Sequence, residues 1–424
     1  MIWGRIVTFI NARVVSMTSA GDYSTPIASI RFGSRIRALG EPPGRGDTVF
    51  DLEGAFVLPG LINAHDHLEL NHFGRLKFRE RYGNASEWID DMRPRLADDG
   101  AIRAARRQPL GERLFIGALK NLLGAVTTVA HHNPLYHELR RTMPIRVVPR
   151  YGWAHSFALE QQPAGARGEP GGDVAQRWRR TPAGVPFFVH LAEGIDAEAR
   201  GELPRLDALG CLARNTVLVH GVAIDDDGWR RVADAGAGLV WCPASNHFLF
   251  GQTASVRALL EHAAVKQAAA VALGSDSRLT GSRDLLDELR AARDTGSASA
   301  DELLAMVTTS AARLLRLKYA GRLAVGVPAD LVVISGAQSA EWSTSRSGER
   351  DAATALLDTS RRDVRFVAVG GRPLVADPAF EPVFRARDVA TRSITVDEAP
   401  KIAASSLARR IAECPIAEPG VRPR

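Results

Sequence analysis

The stretch Leu58-Pro59-Gly60-Leu61-Ile62-Asn63-Ala64-His65-Asp66-His67 joins a short apolar run to two histidines spaced two apart. On a strand, residues at that spacing point to one side, so both imidazoles face a common point. Two converging neutral imidazoles make half of a divalent-metal site, although two satisfied polar residues leave the same pattern. Three further apolar runs end in the same manner: Val185-Pro-Phe-Phe-Val-His190 with Glu193 three residues on, Thr216-Val-Leu-Val-His220-Gly221, and Val271-Ala-Leu-Gly-Ser-Asp276-Ser277. Barrel enzymes place their chemistry at the C-terminal ends of their strands, so the coincidence argues for one site. The histidines His72, His137, His247 and His262 have no such context and read as surface or packing residues.

The pattern around these runs sets the fold class. From Phe56 onward, apolar runs of strand length alternate with helical segments (56–62, 126–130, 145–148, 185–189, 216–219, 238–241, 268–273), the signature of a parallel sheet covered by helices. The expected fold is therefore α/β, a (β/α)8 TIM-like barrel spanning 57–319, with a body length close to the roughly 250 residues typical of that fold. Period-two alternation before residue 56 and again after 320 predicts small antiparallel strands at both ends. The two ends, 1–56 and 320–384, are expected to meet in one composite β-domain, and 385–424 is left as a C-terminal extension of surface helices or ordered chain. The fourth barrel strand is the weak point, because 160–184 is rich in Gly and Pro. Either Gly152–Phe157 supplies it or the barrel is irregular there.

Composition excludes several classes. The 424 residues, 45% hydrophobic and 24% charged, suit a soluble globular protein too long for one small module. The formal charge of +6 invites a nucleic-acid partner, but it is carried by arginines interleaved with acids and accompanied by no binding motif, so none is expected. Three cysteines, Cys211, Cys242 and Cys414, are too few for a disulfide framework, which points to a reducing, cytoplasmic setting. The N-terminal run is broken by Arg5, Asn11 and Arg13 and reads as no secretory signal, and no apolar stretch is long enough for a membrane span.

Taken together, LPGLINAHDH, HLAEG (190–194), LVHG (218–221), CPASN (242–246), LGSDS (273–277) and GRLAVGVPADLVVI (321–334) resemble the amidohydrolase superfamily, in its branch of cytosine deaminase-like and chlorohydrolase-like metal-dependent hydrolases. The resemblance implies a (β/α)8 barrel with a small β-sandwich formed by both chain ends. It also implies that His65, His67, His190 and Asp276 hold one divalent metal, zinc first with iron or manganese as alternatives. Glu193 would shuttle protons, and His220 would lie beside the reacting carbon. Binuclear relatives use a fourth-strand lysine; none stands between Lys120 and Lys266, so a mononuclear site is expected. A homodimer is the family's guess.

A metal held in this way lowers the pKa of its water toward neutrality. Asp276 could take a proton from that water, Glu193 could protonate a leaving amine, and His220 could stabilise the developing oxygen. The expected reaction is hydrolysis of a non-peptide C–N bond, with deamination of a nitrogen heterocycle preferred. Cyclic-amide opening or dehalogenation by the same site, or a barrel that has lost catalysis and only binds, are the alternatives. Among pocket residues, His132, next to His131 and Asn133, and His155 are candidates for touching a small-molecule substrate, while Asn246 could touch it or brace a loop. The loop 71–82, with Arg75, Lys77, Arg79 and Arg81, is either a solvated face or an electropositive rim for an anionic substrate.

Overall fold

The computed structural model describes residues 4–17, 23–140, 143–159, 173–266, 271–336 and 351–423. Eight parallel segments form the barrel: β1 (Leu61–Asp66), β2 (Val126–His131), β3 (Arg146–Val147), β4 (Gly152–Ala154), β5 (Phe187–Leu191), β6 (Thr216–His220), β7 (Gly238–Trp241) and β8 (Val271–Leu273). Apart from the partly exposed β3 and β4, every residue of these strands is buried, as expected for strands covered on both faces. Helices that follow β5, β6 and β8 start on aspartate caps, Asp196, Asp225 and Asp284, whose side chains accept the free N–H groups of the first turn. The helix Asp226–Ala235 turns Trp229, Val232 and Ala233 inward and stops at Gly236, where φ is +66°.

Pairing divides the barrel in two. β3-β2-β1 form one sheet and β4-β5-β6-β7-β8 the other, and the Asp276 N–H donates to the His65 carbonyl at 3.1 Å where β8 meets β1. On the far side, β3 pairs with β2 and β4 pairs with β5. Only residues 148–151 separate β3 from β4, with no helix between. Gly152 indeed begins the fourth strand, and the barrel is irregular there, because Pro149 supplies no N–H to a ladder.

Both chain ends build a second, eleven-stranded sheet. Strand Val7–Val14 pairs with Ile27–Phe32 along one edge; its other edge splits between Thr48–Asp51 and Phe56–Pro59. Phe9 packs edge-on against Phe32, Phe50, Phe366 and Phe380, which ties the N-terminal strands to the C-terminal ones. Residues 385–424, set apart by pattern alone, supply strands Thr391–Val396, Ala399–Ala404 and Val421–Pro423 to this sheet and the helix Ser405–Glu413 beside it. Alternation in 391–404 is weak, which hid them.

The run 58–67 links the two sheets. Phe56–Pro59 pairs antiparallel with Leu331–Ile334 in the end sheet, and β1 begins at Leu61. Gly60 is the pivot between them: its N–H donates to the Asp330 carbonyl, and a Cβ there would stand 2.1 Å from Thr127 Oγ1. Among the described residues no helix is long and apolar enough to cross a membrane.

Candidate metal centre and proton-transfer site

The strand-end residues converge. His65, His67, His132 and His190 each offer a ring nitrogen, and these atoms lie within 4.8 Å of one another. Asp276 joins them, its Oδ1 3.8 Å from the Nε2 atoms of both His65 and His67. Two candidate ligand sets therefore overlap, and the hydrogen bonds choose between them. His132 Nε2 donates to the Ala154 carbonyl at 2.9 Å, and its Nδ1 lies 3.3 Å from His65 Nδ1. Both His132 nitrogens are thus used in orienting neighbours, and the expectation that this ring touches substrate finds no free edge.

The other donors are open. His65 Nε2 is buried with no hydrogen-bond partner, a costly state for a polar atom unless something occupies that point. His190 donates from Nδ1 to the His155 carbonyl at 2.8 Å, which leaves Nε2 as its lone-pair side. That Nε2 lies 3.3 Å from His67 Nε2, about the edge of a tetrahedron whose metal–nitrogen bonds are roughly 2.0–2.1 Å. Burial and the neighbouring rings hold His65, His67 and His132 well below the usual histidine range, so these rings stay neutral at pH 7. Burial alone would raise Asp276, but His67, His220 and the Thr280 hydroxyl outweigh it and hold the carboxyl at about 2. Its Oδ2 accepts from Ser245 Oγ at 2.9 Å and Thr280 Oγ1 at 2.7 Å, which turns Oδ1 toward the histidines. Three imidazoles and a permanent carboxylate suit a divalent cation such as zinc.

Beside this cluster lies a proton path. His220 Nδ1 faces Asn246 Oδ1 at 2.8 Å, and Asn246 Nδ2 donates to Thr253 Oγ1 at 3.0 Å, so His220 carries its proton on Nδ1. Its Nε2 then presents a lone pair to Glu193 Oε1, 3.5 Å away. Burial raises Glu193, against the pull of His190, to about 7. His220 and Asp276 hold left-handed backbone, φ 75° and 50°, a strain that locates function when the surroundings impose it.

Other expectations fare differently. Asn246 is fully buried and spends its amide on His220 and Thr253, the bracing role. His155 contributes its carbonyl to His190 while its ring stacks 6.1 Å from the His190 ring. The loop cations are occupied locally: Arg75 donates to the Gly281 carbonyl and lies over Phe248, Lys77 donates to the carbonyls of Glu80 and Phe248, and Arg79 pairs with Asp91. They dock the loop across the barrel mouth. The space left by Glu193, Glu202, Asn84 and Ser156 is only about 10 Å³. A larger cavity of about 860 Å³, between Arg146 and Tyr319, is lined by none of these site residues.

What pattern reading missed lies under the histidines. Lys120 is fully buried, donating to Asp66 Oδ2 (3.1 Å), Asn71 Oδ1 (2.7 Å), Ser275 Oγ (3.0 Å) and the Asp276 carbonyl (3.3 Å). Asp66 also accepts from Asn121 and Asn71, so one network fixes the chain between His65 and His67 against the turn bearing Asp276. The signal was present: a single lysine in the apolar helix Leu110–Leu123 is out of place unless paired. Replacing it (Lys120→Met) strands the Asp66 charge in the core and is expected to cost about 3 kcal/mol or more. Urea unfolding of the metal-free protein measures it; a loss below about 1 kcal/mol would contradict the pairing.

Glu202 supplies the pH-dependent element. It accepts from the Ala192 N–H at 2.6 Å, and burial raises its carboxyl, against that bond, to about 8. Its folded value lies above the ordinary 4.5, so the folded state holds the extra proton. The stability it contributes is full below that ordinary value and is lost as pH rises through about 8. The Tm of Glu202→Gln should therefore fall less than that of the parent between about pH 6 and about pH 9, and parallel curves would refute this.

An amidohydrolase-family model matches residues 187–374, the segment that carries β5 to β8 and the end-sheet strands Leu331–Ile334 and Val364–Val369. Over that segment the chain is similar to the amidohydrolase family. The chain is 26% identical over 387 residues to a 5-methylthioadenosine/S-adenosylhomocysteine deaminase of Natronomonas pharaonis, covering 81% of the chain and 86% of that relative. A deaminase of the same name from Pyrococcus abyssi is 32% identical over 162 residues, 34% of the chain and 37% of the relative. Its fold is shared with a zinc complex of an atrazine chlorohydrolase from Arthrobacter aurescens (TM-score 0.67, 20% identity, 90% of this chain and 99% of that one). A zinc-bound adenosine deaminase from Xanthomonas campestris is similar (TM-score 0.65, 18% identity, 90% and 97%).

Proposed function

We propose that the protein is a mononuclear metal-dependent hydrolase that deaminates a nitrogen heterocycle, with His65, His67, His190 and Asp276 as the metal's ligands. The reading is carried by the juxtaposition of Glu193, a carboxyl able to hold or release a proton near neutrality, with a lone-pair imidazole at 3.5 Å and the buried donor cluster. A zinc ion held there would supply a water acidic enough to ionise near pH 7. Glu193 protonates the ring nitrogen or the leaving amine, and His220 Nε2, its tautomer set by Asn246, receives or returns the proton. Asp276 remains ionised and orients the donor set. Water adds at the sp2 carbon bearing the amine and ammonia departs, leaving a carbonyl.

The relatives' names make adenosine-type nucleosides the first substrates to try. The cytoplasm is the compartment that fits three free thiols. Purified zinc-loaded protein should release ammonia from an aminated heterocycle in a panel that includes 5′-methylthioadenosine and S-adenosylhomocysteine. Chloride or new carboxylate released without ammonia would replace deamination by dehalogenation or ring opening.

A further inference from the structure

The C-terminal segment ends in a buried charge cluster at the rim of the barrel. Glu418 has a side-chain exposure of 0%. Its Oε1 accepts from Arg278 Nη2 at 2.6 Å and its Oε2 from Arg278 Nη1 at 2.8 Å, a two-pronged pair. Arg361 Nη1 donates to the same carboxylate at 2.5 Å, and its remaining donors reach Asp397 Oδ2 at 3.1 Å and Oδ1 at 2.8 Å. Arg283 donates to the Pro419 carbonyl, and at Gly420 (φ +78°) a Cβ would stand 2.0 Å from Asp397 Oδ1. The tail is clamped at this point.

Arg278 belongs equally to the metal centre, two residues beyond Asp276. Its N–H donates to Asn71 Oδ1 at 3.1 Å, and Asn71 Nδ2 donates to Asp66 Oδ1 at 2.7 Å, between the paired histidines. Arg278 Nε donates to the Arg283 carbonyl at 2.9 Å and closes the turn that contains Thr280, the residue that fixes Asp276 Oδ2. A buried guanidinium without its anion would be drawn toward water and would pull this turn with it. Asp276, in left-handed backbone, depends on its surroundings to keep that conformation.

We propose that Glu418 is a positioning residue for the metal centre. Through Arg278 it holds the turn 276–284 so that Asp276 Oδ1 faces His65 and His67. The inference rests on the metal-ligand reading above.

The test uses the full chain with two variants: Glu418→Gln, which keeps the shape and removes the charge, and Arg278→Lys, which keeps the charge and loses the two-pronged geometry. Zinc affinity is read by chelator competition, and hydrogen exchange across 276–284 is read on metal-free protein. Both variants should bind zinc about tenfold or more weakly and exchange faster across 276–284, while β5 and β6 exchange as in the parent. A cluster that only fastens the tail would loosen 405–423 and lower Tm, leaving zinc affinity within about twofold and 276–284 unchanged, which overturns the proposal. Should Glu418→Gln fail to fold, Arg278→Lys decides. Failure of the parent itself to bind zinc would sink the metal-ligand reading, and the exchange measurement would still judge the role of Glu418.

Discussion

His65→Ala and Asp276→Asn are each expected to yield folded protein with little bound zinc and a kcat/KM at least about 10³-fold below the parent. The reason is local. His65 Nε2 is a buried ring nitrogen with no hydrogen-bond partner, and Asp276 Oδ1 lies 3.8 Å from the Nε2 atoms of His65 and His67, so each variant removes a proposed attachment. Loss of the metal would remove several kcal/mol of charge stabilisation, and about 4 kcal/mol corresponds to roughly 10³ in rate. Folding should survive in His65→Ala, because the Lys120–Asp66 network that holds the strand end is untouched. Metal content by elemental analysis, activity and Tm are measured on one preparation. His65→Ala that still carries about one zinc per chain would remove it from the ligand set.

Glu193→Gln separates chemistry from metal binding. The substitution keeps the shape beside His220 but provides no proton near neutrality, so kcat should fall by about 10²- to 10⁴-fold with zinc content unchanged. Glu193 lies 3.5 Å from His220 Nε2 and is not among the grouped donors His65, His67, His132 and His190, which is why the two effects should part. A glutamine variant within about threefold of the parent in kcat would move the proton-carrying role elsewhere. Coupled loss of zinc and rate would instead make Glu193 a ligand.

Much of the site could be read from strand ends alone. His65, His67, His190, His220 and Asp276 stand where apolar runs stop, and period two and barrel geometry suffice to bring them to one face. Glu193 followed from the resemblance, and the structure sets its Oε1 3.5 Å from His220 Nε2. Roles that depend on which nitrogen carries a proton were out of reach. His132 and Asn246 have the right residue types for substrate contact, yet their hydrogen bonds to Ala154, His220 and Thr253 turn them into supports. The basic loop shows the same limit: its charge is visible in the residues, while two of its partners, the Gly281 and Phe248 carbonyls, are distant in sequence.

The amino-acid sequence by itself determined the barrel, the composite sheet of the two ends and the face on which the histidines gather, because apolar periodicity and strand direction are local properties that every residue carries. Only the tertiary structure decided that β3 and β4 follow one another with no helix between, that Lys120 balances Asp66 under the site, and that the segment before strand Val421–Pro423 brings Glu418 to Arg278. Those features rest on pairings between residues far apart in the chain. A buried charge has no preferred neighbour until folding removes water and leaves the opposite charge as its partner.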